Sequence, residues 1–269
     1  METLGYFASL LIGLSLGLIG GGGSILTLPV LVYLFGVSPS LATAYSLFIV
    51  GTASLVGAWP KHQEGLINYK TAIVFGAPSI AAVFITRKFI LPAIPESLFS
   101  IGSLAITKDV MLMVLFAILM VAASVSMLRD GKATKQATGL QQFNYPLILV
   151  EGAVVGILTG LVGAGGGFLI IPALVVLSKL PMKQAVGTSL LIIAAKSLIG
   201  FTGDLFSDKT MDWILLLSVT TIAIAGIFIG NNLSRRIDGG ALKKGFGWFV
   251  LVMGTYILLK ELGFIPGIA

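Results

Sequence analysis

Between Glu2 and Lys61 the chain carries no charged side chain and no histidine, over the 58 consecutive residues 3–60. As one α-helix, at about 1.5 Å per residue, that run would measure roughly 87 Å, against a bilayer hydrocarbon core of about 30 Å. It must therefore fold back on itself in an apolar medium. The whole chain follows the same pattern: 57% of its 269 residues are hydrophobic and 10% charged, where a soluble domain carries about 25% charged residues. The chain reads as an all-α polytopic membrane protein.

The remaining totals exclude several chemistries. There is no cysteine and only one histidine. This removes disulfides and thiolate sites and leaves little for a histidine-based metal centre or a Ser-His-Asp triad. No cofactor is expected. The net charge of +6 belongs to loops of an apolar chain, where Lys and Arg set membrane orientation, so nucleic acid is not an expected partner. Met1-Glu2 offers no basic region, so the first apolar segment does not read as a cleavable signal. A nucleotide-binding P-loop is absent from the sequence.

Two apolar stretches are broken by glycines: Gly20-Gly21-Gly22-Gly23 in the first, and Gly163-Ala164-Gly165-Gly166-Gly167 in the second. Aligned without gaps at an offset of 143, residues 13–59 and 156–202 share 18 identities in 47 positions. Among them are Gly13/Gly156, Gly17/Gly160, Gly20/Gly163, Pro29/Pro172 and Ser46/Ser189. Coincident glycines and a coincident proline are hard to attribute to the small alphabet of membrane sequences. The chain therefore reads as two copies of one unit, 1–130 and 146–269, joined by a cytoplasmic linker at 131–145. The Ile90–Thr107 stretch has no counterpart in the second copy and is expected to be an interfacial or short helical insertion.

Loop charges decide whether the copies are parallel or inverted. If each glycine-broken stretch returns to its starting side and the N-terminus is outside, eleven of the seventeen Lys and Arg are cytoplasmic. Arg87, Lys88, Lys108, Lys209 and Lys260 then lie outside and Lys196 lies within a span. A single crossing per stretch puts only six basic residues inside. Each unit is therefore expected to be inverted relative to the other, with a glycine-hinged, re-entrant helix hairpin and about three transmembrane helices apiece. Ser24–Phe35 is 12 residues, about 18 Å of helix, too short for the hydrocarbon core.

Three groups of residues are candidates for binding. The glycine breaks place helix N-termini deep in the membrane, with backbone accessible to a small oxyanion: Gly20, Gly21, Gly22, Gly23, then Gly163, Gly165, Gly166 and Gly167. By contrast, Gly13-x-x-x-Gly17 and Gly156-x-x-x-Gly160 read as helix-packing motifs. The second group is hydroxyls, namely Ser24, Thr27, Thr43, Ser46, Thr188 and Ser189, although such side chains routinely bond their own helix carbonyls. The third is Lys196, an intramembrane lysine whose repeat counterpart is Ala53. It either lines the site or snorkels outward beside Asp204. Trp59 reads as an interfacial anchor and His62 as a solvated loop residue.

The sequence Gly17-Leu-Ile-Gly-Gly-Gly-Gly-Ser-Ile-Leu-Thr-Leu-Pro29 followed by Ala42-Thr-Ala-Tyr-Ser46 resembles the first block of the sulfite exporter TauE/SafE family, also called toluene sulfonate uptake permeases. Gly160-Leu-Val-Gly-Ala-Gly-Gly-Gly-Phe-Leu-Ile-Ile-Pro172 with Ala185-Val-Gly-Thr-Ser189 resembles its second block. The resemblance implies a multi-pass secondary transporter of the prokaryotic inner (plasma) membrane that moves sulfite or organosulfonates such as sulfoacetate. The implied partners are that anion, the lipid bilayer and a proton or sodium coupling ion, with a homodimer left open. A passive anion channel using the same central site is the alternative, and no recognisable catalytic set suggests an enzyme.

Overall fold

The structure, a computed structural model, describes residues 2–21, 23–101, 104–129, 145–163, 165–176, 180–205, 211–237 and 239–262. The linker expected at 131–145 falls almost wholly outside the described residues.

The first glycine-broken stretch forms α1 (Glu2–Ile19) and α2 (Gly23–Pro29), which runs on as a π-helical turn over Val30–Leu34. Pro29 cannot donate to the α-helical ladder, and the helix changes its winding immediately after it. The second stretch forms α7 (Tyr145–Val162) and α8 (Gly167–Val176). In each pair the first arm has 18 residues, about 27 Å, whereas the second is close to half that length.

Each pair is followed by long helices: α3 (Pro39–Gln63), α4 (Tyr69–Ile85) and α6 (Lys108–Arg129) in the first half, α9 (Met182–Leu205), α10 (Trp213–Ser234) and α11 (Gly239–Glu261) in the second. Their starts carry local signals. Pro39 occupies the first turn of α3, where a missing N–H is harmless. The side chains of Asn68 and Asp212 cap α4 and α10, accepting from the N–H groups of Thr71 and Leu215 at 3.0 Å each. Among the described residues, five helical segments are long and apolar enough to cross a membrane.

The halves interlock. α1 packs on α10, α4 on α7, α6 on α11 and α3 on α9. The central pair is α3 and α9, with 72% of each apolar window buried against 33–44% for the other spans. They run antiparallel: Gly51 faces Leu198, Gly57 approaches Leu190 and Gly200 approaches Leu47. Glycine permits the α1–α10 contact as the sequence predicts. A Cβ on Gly13 or Gly17 would overlap the α10 backbone at Ala223 and Ile227, and one on Gly230 would lie 3.0 Å from the Gly17 Cα. Gly156 packs in the same way against the Ser79 backbone of α4, and Gly160 against the side chain of Thr86 just past its end.

Ile90–Thr107 differs from the expected helical insertion. A π-helical turn (Thr86–Ile90) and a short α5 (Leu91–Ala93) continue α4, and then an antiparallel hairpin pairs β1 (Ser97–Ile101) with β2 (Leu104–Thr107). Lys108 closes its base by donating its N–H to the Glu96 carbonyl at 3.0 Å. The sequence signal for it is Gly102-Ser103 between two short apolar runs, a hairpin pattern only two residues long beside helix-length segments. This hairpin is the exception to the all-α reading.

Candidate functional site

The chain leaves α1 and α7 by the same device. The N–H of Gly20 donates to the Leu16 carbonyl at 2.7 Å and that of Gly163 to the Thr159 carbonyl at 2.8 Å. Both glycines then turn left-handed, with φ +78° and +69°, followed in the second break by Gly165 (+63°) and Gly166 (+68°). An L side chain at these angles is strained by about 1–2 kcal/mol each. Gly22 and Ala164 lie outside the described residues.

Packing brings the two breaks together. A Cβ on Gly21 would overlap the Gly167 backbone, and one on Gly167 would overlap the Gly21 Cα. Gly20 abuts Val186 on α9 and Gly163 abuts Thr43 on α3. These are equivalent positions at the offset of 143. Gly165 is held between Val50 and Ile193, and Gly23 leans on its own first arm at Ile12 and Leu16.

Beside the meeting point lies Lys196, fully buried. Its Nζ donates to Thr159 Oγ1 at 3.0 Å and stands 2.5 Å from where a Cβ on Gly166 would be. The ammonium is turned inward, so the snorkelling alternative does not hold. The acid proposed to receive it, Asp204, is engaged elsewhere. The α3–α9 register places Ala53 level with Lys196, with Ser54 and Ser197 one residue further along each helix in opposite directions. Ser46, Ser54 and Ser197 are buried with no hydrogen-bond partner for their hydroxyls. Ser54 and Ser197 are repeat-equivalent identities at the offset of 143, and that coincidence is the sequence signal for them.

The other hydroxyls largely serve their own backbone. Ser24 donates to the Gly21 carbonyl at 2.6 Å, Thr27 to Gly23 at 3.0 Å and Ser189 to Val186 at 2.8 Å. Thr188 lies away from the breaks and accepts the Asn68 N–H at 2.9 Å. Thus Gly20, Gly21, Gly163, Gly165, Gly166, Gly167 and Lys196 converge, while Thr188 does not.

Arg87 was read as an outer-loop residue and is instead among the most buried side chains, 1% exposed. The helix continues past Ile85 and carries it inward. Its Nη2 lies 2.6 Å and its Nε 2.7 Å from Asp204 Oδ2, while its Nη1 donates to Thr43 Oγ1 at 2.9 Å and to the Gly160 carbonyl at 3.2 Å. One guanidinium thereby joins α3, α7 and α9 to the end of α4. No local pattern marks it, because Arg87 and Asp204 are 117 residues apart. At the opposite ends of α3 and α9 stands Lys61, the repeat equivalent of Asp204. It contacts Glu64 and Ser234 at 3.4 Å each, and Glu64 also pairs with Arg235 at 2.6 Å. Burial pushes the Glu64 carboxyl up, but Arg235 and Lys61 pull it down further, leaving it below its ordinary range.

Long apolar helices around a buried polar centre at two helix breaks define a polytopic membrane protein of the transporter class. The family described as "Sulfite exporter TauE/SafE" matches residues 6–257, and the chain belongs to that family. A "Probable membrane transporter protein" of Xylella fastidiosa (strain 9a5c) is 30% identical over 257 residues, covering 93% of this chain and 92% of the relative. "Probable membrane transporter protein YdhB" of Bacillus subtilis is 26% identical, covering 92% and 96%. "Probable membrane transporter protein MJ0441" of Methanocaldococcus jannaschii is 34% identical over 118 residues, 42% of this chain and 44% of that one. No solved structure matches the chain significantly.

Proposed function

We propose that the chain is a secondary transporter of small sulfur-containing anions, sulfite or organosulfonates such as sulfoacetate, working by alternating access between two inverted repeats. The observation that carries the reading is the backbone contact of Gly21 and Gly167 beside the buried ammonium of Lys196. In a low-dielectric interior this cation has a neutral hydroxyl as its hydrogen-bond partner. An arriving anion supplies the missing countercharge. Backbone N–H groups at the breaks and the hydroxyls of Ser46, Ser54 and Ser197 complete its coordination.

Inversion is supported by the antiparallel pairing of α3 with α9 and by the matched contacts Gly20–Val186 and Gly163–Thr43. The units 1–130 and 146–269 then rock about the crossing, exposing the centre to one face at a time. The same reading sets the N-terminus outside a prokaryotic inner membrane. A cell interior that is electrically negative drives anion export, and import requires a co-transported proton or sodium ion.

The test is sulfite and organosulfonate flux in proteoliposomes under imposed pH and voltage gradients. Saturable counterflow whose half-saturating concentration rises about tenfold or more in Lys196→Ala is the expected result. Transport unaffected by Lys196→Ala and by Gly21→Leu would overturn the site.

A further inference from the structure

The two ends of the α3–α9 pair are built differently. At one, Arg87 and Asp204 are buried against each other. At the other, a cavity of about 120 Å³ opens between the ends of α1, α3 and α10 and the start of α9. Its charged lining is Lys61, Lys183, Arg235 and Glu64, and its apolar lining includes Leu18 and Val186. Val186 is the residue packed on Gly20, so a single side chain separates the cavity from the first glycine break.

The charges in this cavity do not balance. Three cations meet one carboxylate, and both Glu64 oxygens are already engaged, Oε1 by Arg235 at 2.6 Å and Oε2 by Lys61 at 3.4 Å. Lys183 adds an exposed cation in the first turn of a 24-residue helix that has no acid there. Helix N-termini disfavour cations, so this placement is unfavourable unless negative charge comes to rest nearby. The cavity has room for a small oxyanion together with several waters of its shell.

We infer that this cavity is a docking site for a small oxyanion of the sulfonate or sulfate type, held by Lys61, Lys183 and Arg235 before it moves to the glycine break. Its place on a transport route rests on the anion-transporter reading, whereas the binding itself does not. The docking is superficial and salt-sensitive, because Arg235 and Lys183 face solvent and screening acts within a Debye length of about 8 Å at physiological salt.

The chain lacks cysteine, so Ile237→Cys, an uncharged lining position, serves as a clean reporter of occupancy in the full-length protein. Methanesulfonate and sulfate, but not chloride at equal ionic strength, are expected to slow maleimide labelling of Ile237→Cys. Adding Lys183→Gln and Arg235→Gln is expected to abolish that protection, read as the ratio of labelling rates with and without the anion in the same variant, since removing the cations itself changes thiol reactivity. In flux assays Lys183→Gln is expected to raise the half-saturating concentration about three- to tenfold with little change in maximal rate, as for removal of a rim charge. An intact Lys183→Glu chain that retains full protection overturns the proposal. Protection in phosphatidylglycerol vesicles without soluble anion, absent in phosphatidylcholine vesicles, would assign the cavity to a lipid phosphate and also overturn it. Protection without any anion flux upholds docking and refutes transport, while flux without protection or a saturation shift does the reverse.

Discussion

The Arg87–Asp204 pair offers a sharp energetic test of how the two halves are joined. Both side chains are almost wholly buried, at 1% and 3% exposure. Asp204→Asn keeps the volume, so no cavity term enters. The guanidinium is left with Thr43 and the Gly160 carbonyl, both neutral. Removing one partner of a buried pair costs about 3–5 kcal/mol, which is two to three and a half orders of magnitude in the unfolding equilibrium. Replacing both charges by apolar groups, as Arg87→Met with Asp204→Leu, removes the uncompensated charge. The two guanidinium hydrogen bonds to Thr43 and the Gly160 carbonyl go with it, but Thr43 still donates to the Ser40 carbonyl, and replacing a buried ion pair by apolar groups of similar volume is often neutral or stabilising. The double variant is therefore expected to be more stable than Asp204→Asn alone. Denaturant titration in detergent micelles, read by tryptophan fluorescence, measures all the variants. If the separate losses of Arg87→Met and Asp204→Leu add up to that of the double variant within about 0.5 kcal/mol, the two residues do not interact and the reasoning fails.

Gly36 (φ +68°, nothing within 4 Å) and Gly163 (φ +69°, against Thr43) form a matched pair. Gly36→Ala is expected to lose only the backbone strain of about 1–2 kcal/mol, whereas Gly163→Ala also displaces α3 and abolishes transport; equal losses in the same titration would refute the close-packing argument. Lys196→Met removes a buried charge that has a neutral hydrogen-bond partner, so stability is expected to rise while half-saturation for anions worsens about tenfold or more, the range for a hydrogen bond to a charged group. A fall in stability together with unchanged flux would contradict both halves of that expectation. Glu64 has a lowered carboxyl pKa, so its contribution is present above the unfolded value and disappears as pH falls through the folded one. Melting curves of the parent and Glu64→Gln are expected to differ at pH 7 by no more than about 1 kcal/mol, the surface-bridge scale, and to converge below the ordinary carboxylate range; a gap that widens in acid would invert the assigned sign.

Much of this architecture could be read from local rules. The uncharged run before Lys61 required helices that double back, because an unpaired backbone is not tolerated in lipid. The positions of Gly20 and Gly163 gave the break points to within a few residues, since only glycine takes left-handed turns without strain. Proline at the start of α3 and the side-chain cap at Asn68 act within one turn of the residue that encodes them. The Ile90–Thr107 hairpin was missed because its signal is only two residues long.

The contacts between elements were not legible in this way. Arg87 sits at the edge of an apolar run, where the ordinary expectation is a solvated loop, and only the packing of α4 between α7 and α9 brings Asp204 within 2.6 Å of it. The choice between an inward and a snorkelling Lys196 likewise turned on Thr159, a residue on another helix. The apolar medium, the helices and the glycine breaks are legible residue by residue, because each follows from hydrophobicity or backbone conformation along a continuous stretch. Which charges pair is legible only in the packed molecule, because Coulombic partnership depends on distance through space and the partners here lie 37 to 171 residues apart.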